Sequence, residues 1–483
     1  MTARGSPLSS AVRTACGESA DVMAVSVVRV HYGRGGAKTE GVGPTHSAGP
    51  PPIDPSRKTW PETEHGLLGF ENPLSTVVSR TARKLTTLTA ATASLFRGDR
   101  GWILVAVSAG WFMSFGVRLV YPALVSFFRD GFGLSLSATG LLLTTLWTSY
   151  ALGHVPGGLM GDRLGEGRVL TLSTVLAGGT MLGIALATAP ATLFVATAGF
   201  GLATALYGPT RFTVLTDVYG DRAGSAIGLT MAAGNAGNAL LPVVAVLVAT
   251  ATSWRVTFGA LAPLFLCVAL GVHWRVPART SEATGAANGL SRATLDRLVA
   301  GVTRGSILTV VAVQVCFSFT FQGFVSFYPL LLTDVKGLAP ETAASLFGLF
   351  FVGSFLVQPV AGACMDRYGT RLTLVAVLLP GLAGLLVLPL VEGTLPLVAL
   401  TLVLSTVTGC TVLTQTYIAD TLPPDVQGTG LGVLKAGWML LGATSPVLVG
   451  VLGEYGYLSE AFSLFVVTVG AAFALALVRL DAV

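Results

Sequence analysis

The chain has 483 residues, of which 52% are hydrophobic and only 11% charged, where a soluble domain carries roughly a quarter charged. A mean hydropathy of +0.73 excludes a water-soluble globular fold, and 59 glycines without a three-residue period exclude a collagen-like one. The formal net charge of +5 comes from basic residues that form no tract or recognition motif, so nucleic acid is not expected as a partner.

Residues 1–73 are rich in Gly, Pro, Ser and Thr and include Pro50, Pro51 and Pro52; a segment of that composition buries too little apolar surface to offset its ordering entropy, which predicts disorder. Their first thirty residues lack an apolar core ahead of a cleavage site, so no cleavable signal is expected. Within 74–99, Leu74, Val77, Val78, Leu85, Leu88, Leu95 and Phe96 recur near helical spacing among Arg80, Arg83 and Lys84. Two readings stay open there, an amphipathic helix lying on the membrane surface and a partly ordered tail.

From Trp102 onward the chain is a series of apolar runs near twenty residues long, enough to cross a hydrocarbon core of about 30 Å. They fall near 102–125, 138–160, 169–188, 192–213, 224–250, 255–276, 306–333, 341–363, 371–391, 394–418, 427–451 and 458–479. A polar break over 277–305, with Arg279, Glu282 and Asn288, divides them six and six. The predicted fold is an all-α membrane protein of twelve transmembrane helices in two pseudo-symmetric six-helix bundles, 100–276 and 306–483, joined by a 277–305 linker.

Basic residues sort by alternate loops. Arg97 and Arg100, Arg163 and Arg168, Arg222, the group Arg275, Arg279, Arg292, Arg297 and Arg304, and then Arg367 and Arg371 share one side. The other side holds only Arg129, Arg255 and Lys336. The positive-inside rule therefore predicts cytoplasmic termini and a cytoplasmic linker in a plasma-membrane protein.

The halves repeat. Gly158, Asp162, Arg163 and Gly165 recur as Gly362, Asp366, Arg367 and Gly369, at an offset of 204 from Asp162 to Asp366. At that offset Gly228, Pro242 and Phe258 fall on Gly432, Pro446 and Phe462. Each copy lies in a loop of a few residues between the second and third helices of its half. Gly165 and Gly369 suit a tight reversal there, and a carboxylate in such a loop can face the positive N-terminal end of a neighbouring helix.

Completed by Arg168 (one residue late) and Arg371, both copies resemble the G-x3-D-R-x-G-x-x-R signature of the major facilitator superfamily, and the likeness covers residues 100–480. Ser253, Trp254 and Arg255, and Asp420 with Pro423 and Pro424, are further marks of it. The resemblance implies a carrier working by alternating access, with Asp162 facing the eleventh helix and Asp366 the fifth to lock the cytoplasmic ends in the outward-open state. A plain loop-capping role for the two Asp-Arg pairs is the alternative.

An ionisable residue inside a membrane segment is a candidate for function. Arg118 stands sixteen residues past Trp102 and is matched in the second half by Val325. It could grip an anionic group through its planar fork, or snorkel to the outer rim. His154 pairs by repeat with Gln358 and reads first as a helix-to-helix hydrogen bond. Arg211 and Lys435 read as snorkelling from the cytoplasmic ends of their helices. Gln314, Gln322, Asn235, Asn238, Tyr150 and Tyr207 are candidate cavity-lining groups, with interhelical packing as the alternative for each.

No Asp or Glu stands near the middle of any spanning segment, although proton-driven carriers commonly use a buried carboxylate. The expected solute is therefore a small organic or inorganic anion, moved by exchange, by facilitated diffusion or with a proton. Multidrug or metabolite efflux by antiport is the runner-up: Gly234, Gly237 and Pro242 are present, but Val243, Val244 and Ala245 replace the glycines a full antiporter signature would have. A transport-fold sensor is a third reading.

No enzymatic activity is expected. The string Gly36, Ala37, Lys38, Thr39 is not a phosphate loop. His31, His46, His65, His154 and His273, and the solitary Cys16, Cys267, Cys316, Cys364 and Cys410, lack metal-ligand spacing. Neither cofactor nor metal is expected, and the partners are a solute, the lipid bilayer and a proton or counter-solute, with the chain acting as a monomer.

Overall fold

A computed structural model describes residues 95, 96, 98–280, 305–422 and 427–480. The expectations for 1–73 and for most of 74–99, and the centre of the linker, lie outside the described residues.

Helices account for nearly all of the described chain. They are α1 (Asp99–Ala123), α2 (Leu136–Leu164), α3 (Glu166–Ala185), α4 (Pro190–Tyr219), α5 (Ala223–Ala251) and α6 (Trp254–Arg275) in the first half, and α7 (Gly305–Leu330) opens the second. The stretch Pro340–Val387 is divided at Gly369, whose φ of 79° and ψ of 166° are not helical, into α8 before it and α9 after it. Then come α10 (Thr394–Thr421), which tightens to a 3₁₀ turn over Ser405–Thr408, α11 (Gln427–Gly442 continuing as Ser445–Glu454) and α12 (Leu458–Arg479). Among the described residues these make twelve segments, and their limits follow the apolar runs closely. The exceptions are the ends of α2, α4 and α8, which extend to Leu164, Tyr219 and Tyr368.

The ends obey local chemistry. Ser135 and Ser253 cap α2 and α6 by accepting from the amides of Ala138 and Val256, which satisfies orphan donors of the first turn. The two short loops turn on Gly165 at φ 94° and Gly369 at φ 79°, a left-handed conformation that glycine adopts without strain.

Inside the first half α1 packs on α5, α2 on α4, and α3 on α4 and α6; inside the second α7 packs on α11 and α12, and α8 on α10. With lipid outside there is little hydrophobic drive between helices, so close approach of small residues has to supply the contact. A methyl group built on Gly116 would run into the backbone of Gly237, and one on Gly237 into that of Phe112. Gly234 likewise leaves room for the Trp111 indole. The glycines of the fifth helix thus have a packing reason of their own.

The two halves meet where α2 packs on α11 and α5 on α8. Gly140 lies against the Pro446 carbonyl and Gly450 against Leu136 and Gly140. The Ser137 amide donates to Glu454 at 3.1 Å, the Val447 amide to Thr144 at 3.1 Å, and Arg129 pairs with Asp334 at 2.8 Å. Deeper in the seam the Trp147 indole donates to Ser326 at 3.3 Å. The three basic residues that break the loop sorting are each tied to protein: Arg129 to Asp334, Arg255 to the Ala187 carbonyl and Lys336 to that of Pro389.

Candidate functional site

α1, α2, α4 and α11 bring three cations around one aromatic cluster. Arg118 is 1% exposed, so it neither faces lipid nor snorkels. Its Cζ lies 3.3 Å from the centroid of the Tyr150 ring and within 6 Å of those of Phe115 and Trp147. One guanidinium nitrogen donates to the Ser114 carbonyl at 3.4 Å, and Nε has no protein partner.

Arg211 corrects the snorkelling expectation. Because α4 runs on to Tyr219, Arg211 is more than two turns from its end, and it is 3% exposed. Its Cζ stands 3.4 Å from the Trp111 centroid, and it donates to the Gly208 carbonyl at 2.9 Å and to the Met231 sulfur at 3.1 Å. Its Nε is also unpartnered. Lys435 on α11 is half-buried and within electrostatic reach of Tyr150, His154, Arg118 and Arg211.

No carboxylate among the described residues pairs with any of these three cations. Aromatic faces take that place for the two arginines. Such contacts are worth about 2 kcal/mol when desolvated, and they support a cation without occupying its in-plane donors. Further buried polar atoms without protein partners are Trp111 Nε1 and Ser114 Oγ on α1, and Asn238 Oδ1 on α5, which packs on α1. The two arginine Nε groups and the Trp111 indole are donors, and buried donors left unpaired carry a cost that an acceptor relieves.

His154 sits edge-on to Tyr150, ring centroids 4.5 Å apart, with Nδ1 2.8 Å from the Tyr150 carbonyl. Its hydrogen bond is therefore within α2, and the expected helix-to-helix bond to another segment is not formed by that nitrogen. Tyr207 is fully buried and donates to the Val107 carbonyl at 2.9 Å, a packing role. Asn235 is half-buried and Asn238 buried, both on α5.

The second half offers neutral groups committed to one another. Gln322 donates to the Met439 carbonyl at 3.0 Å, with its Oε1 unpartnered. Gln314 accepts from Thr414 and donates to Ser318. Gln358 is half-buried on α8, and Val325 is fully buried at the position matching Arg118.

At the Asp-Arg loops, Gly158 and Gly362 lie on α2 and α8, and Arg163 and Arg168 are exposed. The Asp162 side chain lies outside what is described. Asp366 and Arg367 are exposed and engaged in interactions, and Arg371 donates to the Leu477 carbonyl at 2.7 Å. Sequence reasoning missed Glu166, which is 2% exposed and accepts from the Thr280 amide at 2.9 Å. Thr280 also donates to Asp217, and Arg279 to the Arg163 carbonyl. A side chain on Gly165 or Gly167 would strike the carbonyls of Ala278 or Pro277. The first loop is thus packed on the segment that leaves α6.

The sequence profile described as Major Facilitator Superfamily matches residues 106–345 and 310–482. The chain belongs to that superfamily. As a superfamily member it is a multi-pass membrane protein that transports small solutes and is not an enzyme. A probable sulfoacetate transporter from Cupriavidus necator is 25% identical over 378 residues, covering 74% of this chain and 87% of that one. Solved structures share the fold. A bacterial homologue of the human lysosomal transporter Spinster, inward-facing and unoccupied, gives a TM-score of 0.63 at 17% identity, covering 79% of this chain and 97% of that one. A nucleoside transporter, solved as a mutant, gives 0.64 at 14%, with coverage of 77% and 98%. A D-xylose–proton symporter gives 0.64 at 14%, with coverage of 80% and 98%.

Proposed function

We propose that this superfamily member carries a small organic anion across the plasma membrane by alternating access, binding it between the halves at Arg118 and Arg211. The observation that carries this reading is the pair of buried guanidinium groups, each stacked on an aromatic ring with Nε unpartnered and neither paired with a carboxylate among the described residues. A buried cation without a counter-charge is expensive, and an anionic solute supplies the missing partner while it is bound. The probable sulfoacetate transporter among its relatives is named for an organic anion, which supports the class without naming this protein's solute. His154, Tyr150, Gln322, Gln358, Asn235 and Asn238 are proposed to line the path, with the first bundle at 100–276 and the second at 306–483.

A ligand screen on the purified protein tests this reading. A ligand that binds only the folded state raises the melting temperature by mass action. Organic anions are expected to do so and organic cations of the same size are not; stabilisation by cations alone would overturn it.

The distribution of basic loops supports an orientation with the Asp-Arg motifs and both termini in the cytoplasm and the Arg129–Asp334 contact outside. A cysteine at Glu392 should react with an impermeant reagent on intact cells and one at Gly289 should not. The opposite pattern inverts the orientation.

A further inference from the structure

We infer that Lys435 binds the solute from the opposite half, so that the preferred solute carries two negative charges, one held by Arg118 and Arg211 and the other by Lys435. This rests on the anion reading above and extends it to the number of charges. Lys435 belongs to the second half, on the Gln427–Gly442 part of α11, which packs against α2 and α7. Its ammonium has no hydrogen bond and no acidic partner among the described residues, and it is half-buried. The groups in its reach come from three helices of the first half: Arg118 from α1, Tyr150 and His154 from α2, and Arg211 from α4. None of them is an acid.

Two of those groups repel Lys435 across the seam between the halves. A monoanion held by the guanidinium groups leaves that repulsion partly in place. A second carboxylate or sulfonate a few bonds away reaches Lys435, replaces repulsion with attraction, and ties the halves together through the solute. The residue types fit this division of labour. The arginines are planar forks braced on rings, suited to holding one group in fixed geometry. Lysine is a point charge on a flexible stem, able to follow a half that moves. The nearby amides of the second half cannot substitute, since Gln322 is committed to Met439 and Gln314 to Thr414 and Ser318.

The test compares matched anions on the full-length purified protein by calorimetry: malonate and sulfoacetate against propionate and ethanesulfonate. The unmodified protein should bind each dianion about tenfold or more tightly than its monoanion, the worth of one charge-assisted contact. Lys435→Gln should lower dianion affinity about tenfold more than it lowers monoanion affinity, bringing the two to the same level, and Lys435→Arg should keep the preference. Size-exclusion profiles of both variants establish that they are folded. Absence of a dianion preference in the unmodified protein, or its survival in Lys435→Gln, overturns the inference alone. Undiminished binding of every anion by Arg118→Ala overturns the anion reading, and this inference with it.

Discussion

The Arg118 guanidinium stands over the Tyr150 ring, carbon to centroid 3.3 Å, in the place where a buried arginine ordinarily meets a carboxylate. The ring face stabilises the cation but leaves its in-plane N–H groups directed elsewhere. Tyr150→Phe retains the face, and binding of the transported anion should change by less than about threefold, because cation–π attraction survives in Phe. Tyr150→Leu removes the face and should lower stability by about 1–2 kcal/mol while weakening binding further. Melting temperature and dissociation constant of the two variants decide it; equal behaviour of Phe and Leu would assign the hydroxyl, not the ring, the supporting role.

Arg129 and Asp334, 2.8 Å apart and each about 30% exposed, join the connection between α1 and α2 in the first half to a π-helical turn, Leu331–Val335, of the second. An exposed pair is worth about 0–1 kcal/mol, so its effect is on conformation, not folding. Arg129→Ala or Asp334→Ala should raise the reactivity of a cysteine at the buried Ser326, deeper in the same seam, by about two- to fivefold. The charge-swapped double variant, Arg129→Asp with Asp334→Arg, should restore the original rate. Failure of the swap to restore it would show that the two residues act independently.

The Asp-Arg loops carry a different expectation. We propose that each Asp makes a state-specific pairing; Asp162→Asn and Asp366→Asn remove charge at nearly constant shape, and each should then slow turnover far more than it weakens solute binding. The measurement is transport rate and dissociation constant at equal membrane abundance. Unchanged transport by both variants would leave the loops a purely structural role, of the kind Gly165 already plays where it meets Ala278.

Most of the fold was legible in the sequence because lipid imposes a simple rule: length and apolarity of each run, punctuated by polar loops, dictate the helices. Arg118 was legible for the same reason, as a charge inside an apolar run, but its burial was not, because the run ends only seven residues beyond it. Arg211 was misread because its helix outlasts its apolar stretch, Asp217 and Thr216 continuing α4 to Tyr219, so that the residue lies deeper than hydropathy indicates. The faces of Trp111 and Tyr150 that receive the two guanidinium groups were not legible as such. An aromatic residue in an apolar run carries no mark of which neighbour it will meet across a helix interface. Glu166 was missed on similar grounds, since its partner, Thr280, is brought to it only by the docking of the chain after α6.

The anion reading is tested most directly by the affinity of Arg118 variants for the transported solute, measured on purified protein with melting temperature as the control for folding. Arg118→Ala should weaken binding by about a hundredfold, the loss of more than one charge-assisted contact. Arg118→Lys, which keeps the charge but not the fork, should fall between it and the unmodified protein. A folded Arg118→Ala that binds and transports the solute with unmodified constants would contradict the account.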